Sequence, residues 1–349
     1  MTRIYVALPD GLLVVSGGPG RWQAARQLEG LPARCLAADP LRPERVYCGT
    51  FGNGLWRSDD AGASWQPAGA GIASPQVMAV AVSATERGDG NDGSAGVLFC
   101  GTEPTALYRS EDGGATWQEC RALLALPSRS SWSFPSRPYT SHVRAIALDP
   151  NAPGRLYVAI EAGALVRSDD GGETWQDRQP GGPRDSHTLA TPQSAPGRIY
   201  AAAGDGFMSP GNGFARSDDG GATWRREGAG LREHYLWGLA VDPADPETLI
   251  VSAAPSPNAA HNPRAAESAI YRRTAGSDWQ LRTDGLPDRH GTVASVLAAH
   301  DAEPGIFYAA NNAGLYRSPD AGATWQRLDI PWPDGYRDMR TEGMVVTEE

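Results

Sequence analysis

Lysine is absent from this 349-residue sequence, and all 31 basic residues are arginine. The absence excludes Schiff-base chemistry, attachment of pyridoxal phosphate and a P-loop, because each of these needs a lysine amine. Cysteine is scarce, with four residues and no CxxC pair, which argues against a disulfide framework and favours buried thiols that pack as small apolar groups. No stretch approaches 18 uninterrupted apolar residues, so the sequence predicts no transmembrane helix.

Positive charge is also in deficit, since the formal net charge is −10. Phosphate contacts need a basic face, and the charge therefore argues against a binder of nucleic acid or of a membrane surface. Residues 1–7 have the pattern of a strand and lack the long apolar core of a signal peptide. We therefore expect a cytoplasmic protein.

One octet, Ser-x-Asp-x-Gly-x-Thr/Ser-Trp, recurs along the chain. Copies that match the pattern occupy 58–65, 110–117, 168–175, 217–224 and 318–325. Degenerate copies at 16–22 and 273–279 keep the tryptophan but lose most of the other positions. The seven tryptophans, at positions 22, 65, 117, 175, 224, 279 and 325, lie 43 to 58 residues apart. A repeat of this length fits four short strands with their turns, the content of one propeller blade.

The octet resembles the Asp-box, or BNR repeat, of sialidases, sortilin-type receptors and many bacterial propellers. The resemblance covers the whole chain and implies an all-β fold, a seven-bladed β-propeller of four-stranded antiparallel blades that occupies residues 1–349 as one domain. Within a box, the Asp can accept hydrogen bonds from turn amides and the Gly tolerates positive φ, so we interpret the box aspartates as structural. They are Asp60, Asp112, Asp170, Asp219 and Asp320.

The two ends of the chain complete each other in this scheme. The first repeat, residues 2–22, has a second and a third strand but no inner strand before them. Residues 341–346 have the pattern of an inner strand with no further strand after them. We predict that the C-terminal strand joins the first blade and closes the ring, which removes the free sheet edges.

Histidine is rare and unevenly placed. Six are present, and four stand just before or at the start of the inner strands of blades four to seven: His142, His187, His234 and His290. Inner strands converge on the central channel, so these imidazoles are predicted to meet at its mouth and to bind a divalent transition metal, iron, zinc or copper. The alternative is that each histidine only satisfies backbone groups of its own loop.

Charged and aromatic residues share this rim. Asp185 and Glu233 are the candidate catalytic carboxylates, because a carboxylate there can act as a general base or support a metal ligand. The candidate substrate-binding residues are Arg34, Arg144, Arg340, Tyr235 and Trp237. A guanidinium group holds a carboxylate or phosphate in bidentate fashion, and salt bridges between blades are the alternative role for the arginines.

These residues favour a propeller that binds a small molecule at the channel mouth, as a metal-dependent enzyme. One alternative is a glycoside hydrolase, since sialidases share the boxes, with Glu233 and Asp185 as the carboxylate pair. The sialidase Arg-Ile-Pro pattern is missing at residues 2–5, which read Thr-Arg-Ile-Tyr, and xyloglucan-cleaving relatives use two propellers where one is present here. The other alternative is a non-catalytic scaffold similar to the photosystem II assembly propellers.

The tract 131–139 has aromatic side chains and an arginine in the long connection before the fourth inner strand. Such residues suit a hot spot for a protein partner, and they equally suit a lid over the channel mouth. Because a closed propeller has no edge that demands a partner, we expect a monomer.

Overall fold

Each repeat forms one antiparallel sheet in the computed structural model, which describes residues 1–18, 20–88 and 96–348. Six of the seven sheets have four strands. The sheet of the fourth repeat has three, and its outer strand is reduced to the single bridge between Arg167 and Gln176. We number the blades 1 to 7 by the order of the repeats and call the strands of each blade inner, second, third and outer. The predicted seven-bladed propeller is therefore confirmed.

The strands lie where the repeat places them. From blade 1 to blade 7, the inner strands are Gly343–Glu348, Ala33–Asp39, Val77–Arg87, Val143–Leu148, Ser186–Ala190, Tyr235–Val241 and Val296–Ala298. The second strands are Thr2–Leu8, Arg42–Thr50, Gly96–Thr102, Leu156–Ile160, Ile199–Ala203, Leu249–Ala254 and Phe307–Asn311. The third strands are Gly11–Gly18, Leu55–Ser58, Leu107–Ser110, Ala164–Ser168, Phe214–Ser217, Ala269–Arg273 and Gly314–Ser318. The outer strands are Arg21–Gln27, Gln66–Pro67, Gln118–Glu119, Arg225–Arg226, Gln280–Arg282 and Gln326–Arg327.

The second strands form the centre of the apolar core. Leu156–Ile160 and Ile199–Ala203 are buried along their whole length, because each sheet packs on a neighbouring blade at both faces. Strands covered on both sides need near-continuous apolar sequence, which is the composition of these segments. The outer strands contain no fully buried residue, and all but Arg21–Gln27 are two or three residues long.

The ring is closed by the C-terminus. Gly343–Glu348 pairs with Thr2–Leu8, in a register that sets Ala7 opposite Gly343 and Thr2 opposite Glu348. The inner strands contact one another in sequence around the channel, and the C-terminal strand contacts the inner strands of blades 2 and 7. The closure predicted from the two incomplete ends is therefore confirmed.

The Asp-box aspartate stabilises its own hairpin. Asp60 accepts hydrogen bonds from the Ser64 backbone N–H at 2.8 Å and from the Ser64 hydroxyl, which lower its pKa to about 2. The buried Ser58 hydroxyl donates to Asp60 and accepts from the Gly62 N–H at 2.8 Å. The same bonds recur in the other four boxes that match the pattern, so this carboxylate is engaged within a turn on the outside of the blade.

The boxes also join neighbouring blades. The Trp117 indole N–H donates to the Ala68 carbonyl oxygen of the preceding blade at 2.8 Å. Third-strand arginines reach forward to the next box, as Arg57 donates to the Gly113 carbonyl oxygen at 2.8 Å and Arg167 to the Gly220 carbonyl oxygen at 2.6 Å. These contacts make the box a link in both directions, which explains why the motif repeats with the blades.

The helices lie in the long connections. The α-helices are Asp205–Met208 and Pro257–His261, and the 3₁₀ helices are Arg121–Ala125, Pro127–Ser131, Pro263–Ala265 and Asp334–Asp338. Among the described residues, none of these helices has the length and apolar character needed to cross a bilayer. Pro257–His261 and the connection before the fourth inner strand both border one chamber at the end of the channel.

Candidate functional site

A chamber of about 390 Å³ lies at the mouth of the central channel. Seven of the residues predicted from the sequence line it: Arg34, His142, Arg144, Asp185, Tyr235, Trp237 and Arg340. They come from strand starts in blades 1, 2, 4, 5 and 6, which the ring brings together at one end of the channel. Its volume is within the range of small-molecule sites.

Glu161 is the central acid of the chamber, although it was not among the residues predicted from the sequence. It lies in the short turn between the second and third strands of blade 4, directly after Leu156–Ile160. Its Oε2 is 2.7 Å from His142 Nε2 and 3.7 Å from Arg144 Nε. Burial alone would raise its pKa, but the hydrogen bond from His142 and the charges of His142, His187 and Arg144 hold the pKa of Glu161 well below its ordinary value.

Asp185 faces Glu161 from the start of the fifth inner strand. Its Oδ1 accepts a hydrogen bond of 2.9 Å from the Ala162 backbone N–H. Burial raises the pKa of Asp185, the charge of Glu161 raises it further, and His187 opposes the rise. The two carboxyl groups therefore have pKa values displaced in opposite directions, which is the condition for one to act as an acid and the other as an anion.

His187 has a fixed ring orientation beside these acids. Its Nδ1 is 2.6 Å from the Leu236 carbonyl oxygen, and because a carbonyl oxygen only accepts, Nδ1 carries the hydrogen. Nε2 then faces Asp185 Oδ1 at 3.6 Å and the Tyr235 hydroxyl at 3.4 Å. The ring is 2% exposed, so this orientation is held by packing as well as by the hydrogen bond.

Tyr235 connects two imidazoles. Its hydroxyl lies 2.9 Å from His261 Nε2, and burial raises the pKa of Tyr235 well above its ordinary value. His261 ends the helix Pro257–His261, and burial together with the charge of Arg340 lowers its pKa to about 3. A neutral His261 therefore shares a hydrogen bond with a neutral Tyr235 at this wall.

Two arginines of the chamber share one carboxylate. Arg34 and Arg340 both contact Glu342 Oε1, each at 2.6 Å, so two positive charges share one negative charge. Arg144 stacks over the Trp237 ring at 4.3 Å, which covers this indole and leaves it 6% exposed. The Arg34–Arg340 wall therefore carries positive charge that can attract an anionic group of a ligand.

The four predicted metal ligands do not come together. His234 lies near the Gly211 backbone N–H, at 3.4 Å from its Nδ1, and the side chain of His290 is 80% exposed beside Asp288. In the described part of the chain, the groups that do converge are Glu161, Asp185 and His187, each with one ligand atom within 4.8 Å of the others. Two carboxylates and one imidazole form a donor set suited to a divalent ion such as manganese, iron or zinc.

Glu233 has a structural position. Its carboxylate accepts a hydrogen bond from the Tyr271 hydroxyl and is paired with Arg289, and it does not line the chamber. Tyr271 is in the third strand of the same blade, so the side chain points into the blade instead of the channel. The expected Glu233–Asp185 pair is replaced by Glu161 and Asp185.

Residues 133–141, here called the strap, form the roof of the chamber. Phe134 and Arg137 line it from above, and Phe134 packs edge-on against His142 with ring centroids 4.9 Å apart. On the other side of the strap lies a groove of about 950 Å³, which Tyr139 borders with its 84% exposed ring. Trp132, the other large aromatic residue of the tract, is buried.

Comparison with known proteins identifies the repeat. A family model described as the BNR/Asp-box repeat matches residues 166–177, the box of blade 4. A curated xyloglucanase from a Paenibacillus species is 28% identical over 330 residues, which cover 89% of this chain and 26% of that protein. This chain is thus a seven-bladed propeller with a BNR repeat in blade 4, and it spans about a quarter of the length of the curated protein that it matches.

Two kinds of solved structure share the fold. The GH74 xyloglucanase from Xanthomonas campestris superposes with a TM-score of 0.66 and 18% identity, over 93% of this chain and 52% of that chain. YCF48 bound to D1 peptide superposes with a TM-score of 0.56 and 16% identity, over 90% of this chain and 92% of that chain. At these identities the likeness extends to the seven-bladed fold alone.

Proposed function

We propose that the chamber hydrolyses the glycosidic bond of a short saccharide that carries a carboxylate. The observation that carries this proposal is the Glu161–Asp185 pair, whose nearest oxygens lie within 4.8 Å and whose pKa values are displaced in opposite directions. Retaining glycosidases place two carboxyl groups about 5 to 5.5 Å apart for a covalent intermediate. The curated xyloglucanase relative supports the same reaction class.

In this mechanism, protonated Asp185 donates its proton to the glycosidic oxygen as the carbon–oxygen bond breaks. The ionised carboxylate of Glu161 bonds to the anomeric carbon, and His142 orients it by its hydrogen bond of 2.7 Å. The product of this step is a glycosyl ester of Glu161. Asp185 then removes a proton from the water that hydrolyses this ester, and in doing so it regains the proton needed for the next cycle. The positive wall of Arg34 and Arg340 binds the carboxylate of the sugar.

The enclosed shape favours a short substrate over a polymer. A roof formed by the strap leaves about 390 Å³, enough for a few sugar rings at most. The strap side chains Phe134 and Arg137 stand where a longer chain would have to continue. We therefore place the substrate among free oligosaccharides or chain ends.

The test is hydrolysis of a panel of 4-nitrophenyl glycosides, neutral sugars and uronic acids. We expect a uronide to be cleaved, and Asp185→Asn and Glu161→Gln each to lower kcat by at least about a hundredfold. His290→Gln, at an exposed histidine outside the chamber, is the matched control and should keep full activity. Cleavage that is unchanged in both acid variants, or no cleavage of any member, would count against the proposal.

A metal-assisted site is the second candidate, and the convergence of Glu161, Asp185 and His187 favours it. Each group has an outer partner, His142 for Glu161, the Ala162 N–H for Asp185 and the Leu236 carbonyl for His187. A bound ion would supply Lewis-acid activation in place of the proton from Asp185. Elemental analysis of tag-free protein decides between the two: a stoichiometric metal in the wild type that is lost in His187→Gln and retained in His290→Gln selects this candidate.

A further inference from the structure

The strap is joined to the rest of the molecule in few places. Its backbone bonds are internal, from the Phe134 N–H to Thr140 at 2.9 Å and from the Thr140 N–H to Arg137 at 3.0 Å. At its end, the Ser141 carbonyl oxygen accepts from the Thr105 N–H at 2.8 Å. Its internal bonds allow the strap to move as a unit between its two ends.

One ion pair fastens the middle of the strap. Arg137 holds both oxygens of Glu103, with Nε donating to Oε1 at 2.7 Å. Glu103 follows the second strand of blade 3 and is 6% exposed, so it belongs to the rigid wall. In the described part of the chain, no other side chain of residues 133–140 makes an ion pair with that wall.

The same glutamate faces the histidine that holds Glu161. Glu103 Oε2 lies 3.5 Å from His142 Nδ1, while His142 Nε2 is bonded to Glu161. Phe134 of the strap covers the His142 ring, which is 2% exposed. The strap, Glu103, His142 and Glu161 therefore form one continuous set of contacts.

We propose that residues 133–141 are a hinged lid over the chamber, that the Arg137–Glu103 ion pair is its latch, and that the closed lid keeps His142 on Glu161. The lid itself does not depend on the reaction, whereas the value of holding Glu161 rests on the proposed function. When Arg137 leaves, Glu103 loses its cation, and His142 Nδ1 already lies 3.5 Å from Glu103 Oε2. Movement of His142 toward Glu103 would lengthen its bond to Glu161, so Glu161 is correctly placed only when the lid is shut.

This lid has a clear route for ligands. The chamber lies on one side of the strap and the groove of about 950 Å³ lies on the other, and Arg137 borders both. Lifting the strap would join the two spaces, so a ligand can enter from the groove and be enclosed when the latch closes. Closure around a ligand excludes water from the reacting bond and completes the site.

The test measures access to the chamber without any substrate. Met78 lines the chamber and is 8% exposed, so a thiol introduced by Met78→Cys reports whether a reagent can enter. The probe is the aromatic disulfide DTNB, with the modified peptide identified by mass spectrometry. We expect this thiol to react at least tenfold faster when Arg137→Gln or Glu103→Gln is added. Arg137→Lys, which keeps the charge but not the bidentate geometry, should give an intermediate rate.

Arg121→Gln is the matched control, because Arg121 pairs with Glu119 at the start of the same connection and is 86% exposed. It should leave the rate unchanged. The lid would be overturned if the Cys introduced at position 78 reacted with DTNB at rates within twofold of each other with and without Arg137→Gln or Glu103→Gln. It would also be overturned if this thiol reacted as fast in the folded Met78→Cys protein as it does in urea. A loss of thermal stability in Glu103→Gln and Arg137→Lys alike would also overturn it, since the ion pair would then hold the fold. The assay uses no glycoside, so its outcome is separate from that of the hydrolase test.

Discussion

His261 gives the wall of the chamber a pH dependence that can be measured. Burial first, and then the charges of Arg340 and His187, lower its pKa from 6.5 to about 3. The unfolded chain therefore binds a proton at His261 below pH 6.5 that the folded protein does not accept until about pH 3. The stability from this group is complete above pH 6.5 and is lost as the pH falls toward 3.

The size of the effect follows from the two pKa values. Because one pKa unit corresponds to about 1.36 kcal/mol, lowering the pH from 7 to 5 should remove about 2 kcal/mol from the free energy of unfolding. His261→Gln keeps a polar contact to Tyr235 but cannot titrate. We expect its free energy of unfolding to fall by about 2 kcal/mol less than that of the wild type over this interval.

The assay is urea denaturation at pH 7 and pH 5, followed by tryptophan fluorescence. His290→Gln is the control, because that side chain is 80% exposed, and it should show the slope of the wild type. The slope is the change in the free energy of unfolding between pH 7 and pH 5. Comparing this slope between variants cancels the effect of the glutamine on packing, which is the same at both pH values. Equal slopes for His261→Gln and the wild type would refute the assignment of a buried neutral imidazole at this wall.

Three further predictions concern the fold. Deleting the last ten residues removes the inner strand Gly343–Glu348, so we expect aggregation or a Tm lower by about 10 °C or more in calorimetry, and an unchanged Tm would contradict the closure. Ser58→Ala leaves a buried box N–H without its acceptor and should cost about 1 to 2 kcal/mol in urea denaturation, against no change if the box is decorative. Gly101→Ala places a Cβ 2.4 Å from Val143 Cγ1 and should cost about 1 to 3 kcal/mol, whereas Gly335→Ala, with open space around it, should be neutral; equal costs would argue against tight packing between blades 3 and 4.

The blades could be predicted because their signals are local. A box fixes a hairpin through bonds between residues two to four apart, such as Ser58 with Gly62, so the motif can be recognised without the rest of the fold. The same holds for closure, since the missing inner strand of the first repeat and the spare strand at the C-terminus are both visible in the sequence. The reduced outer strand of blade 4 has no comparable signal, because pairing there depends on how the strand meets its neighbour.

The site could be predicted only in part, because position at a strand start does not fix the direction of a side chain. Asp185 and Glu233 occupy similar places before inner strands, yet one borders the chamber and the other bonds to Tyr271 inside its blade. Successive residues of a strand point to opposite sides of the sheet. An error of one residue in the predicted strand start therefore changes whether a side chain is expected to face the chamber or the interior of its blade. Glu161 could not be predicted from the rarity of histidine or from a position at the start of an inner strand, because it stands in the turn of three residues between Leu156–Ile160 and Ala164–Ser168. The repeat pattern does indicate its position, because the turn between the second and third strands lies at the same end of the blade as the start of the inner strand.

Two charged groups of the chamber are held by a group from another blade. Arg34 of blade 2 contacts Glu342 of blade 1, and Asp185 of blade 5 accepts from the Ala162 N–H of blade 4. These contacts span the ends of the inner strands, where the blades are closest, so the site is assembled only when the ring is closed. Weakening the closure strand should therefore disturb the chamber before the outer strands, which pair with the third strand of their own blade. It follows that the same contacts serve the geometry of the chamber and the union of the blades, and that variants of the site must be judged on stability as well as on activity.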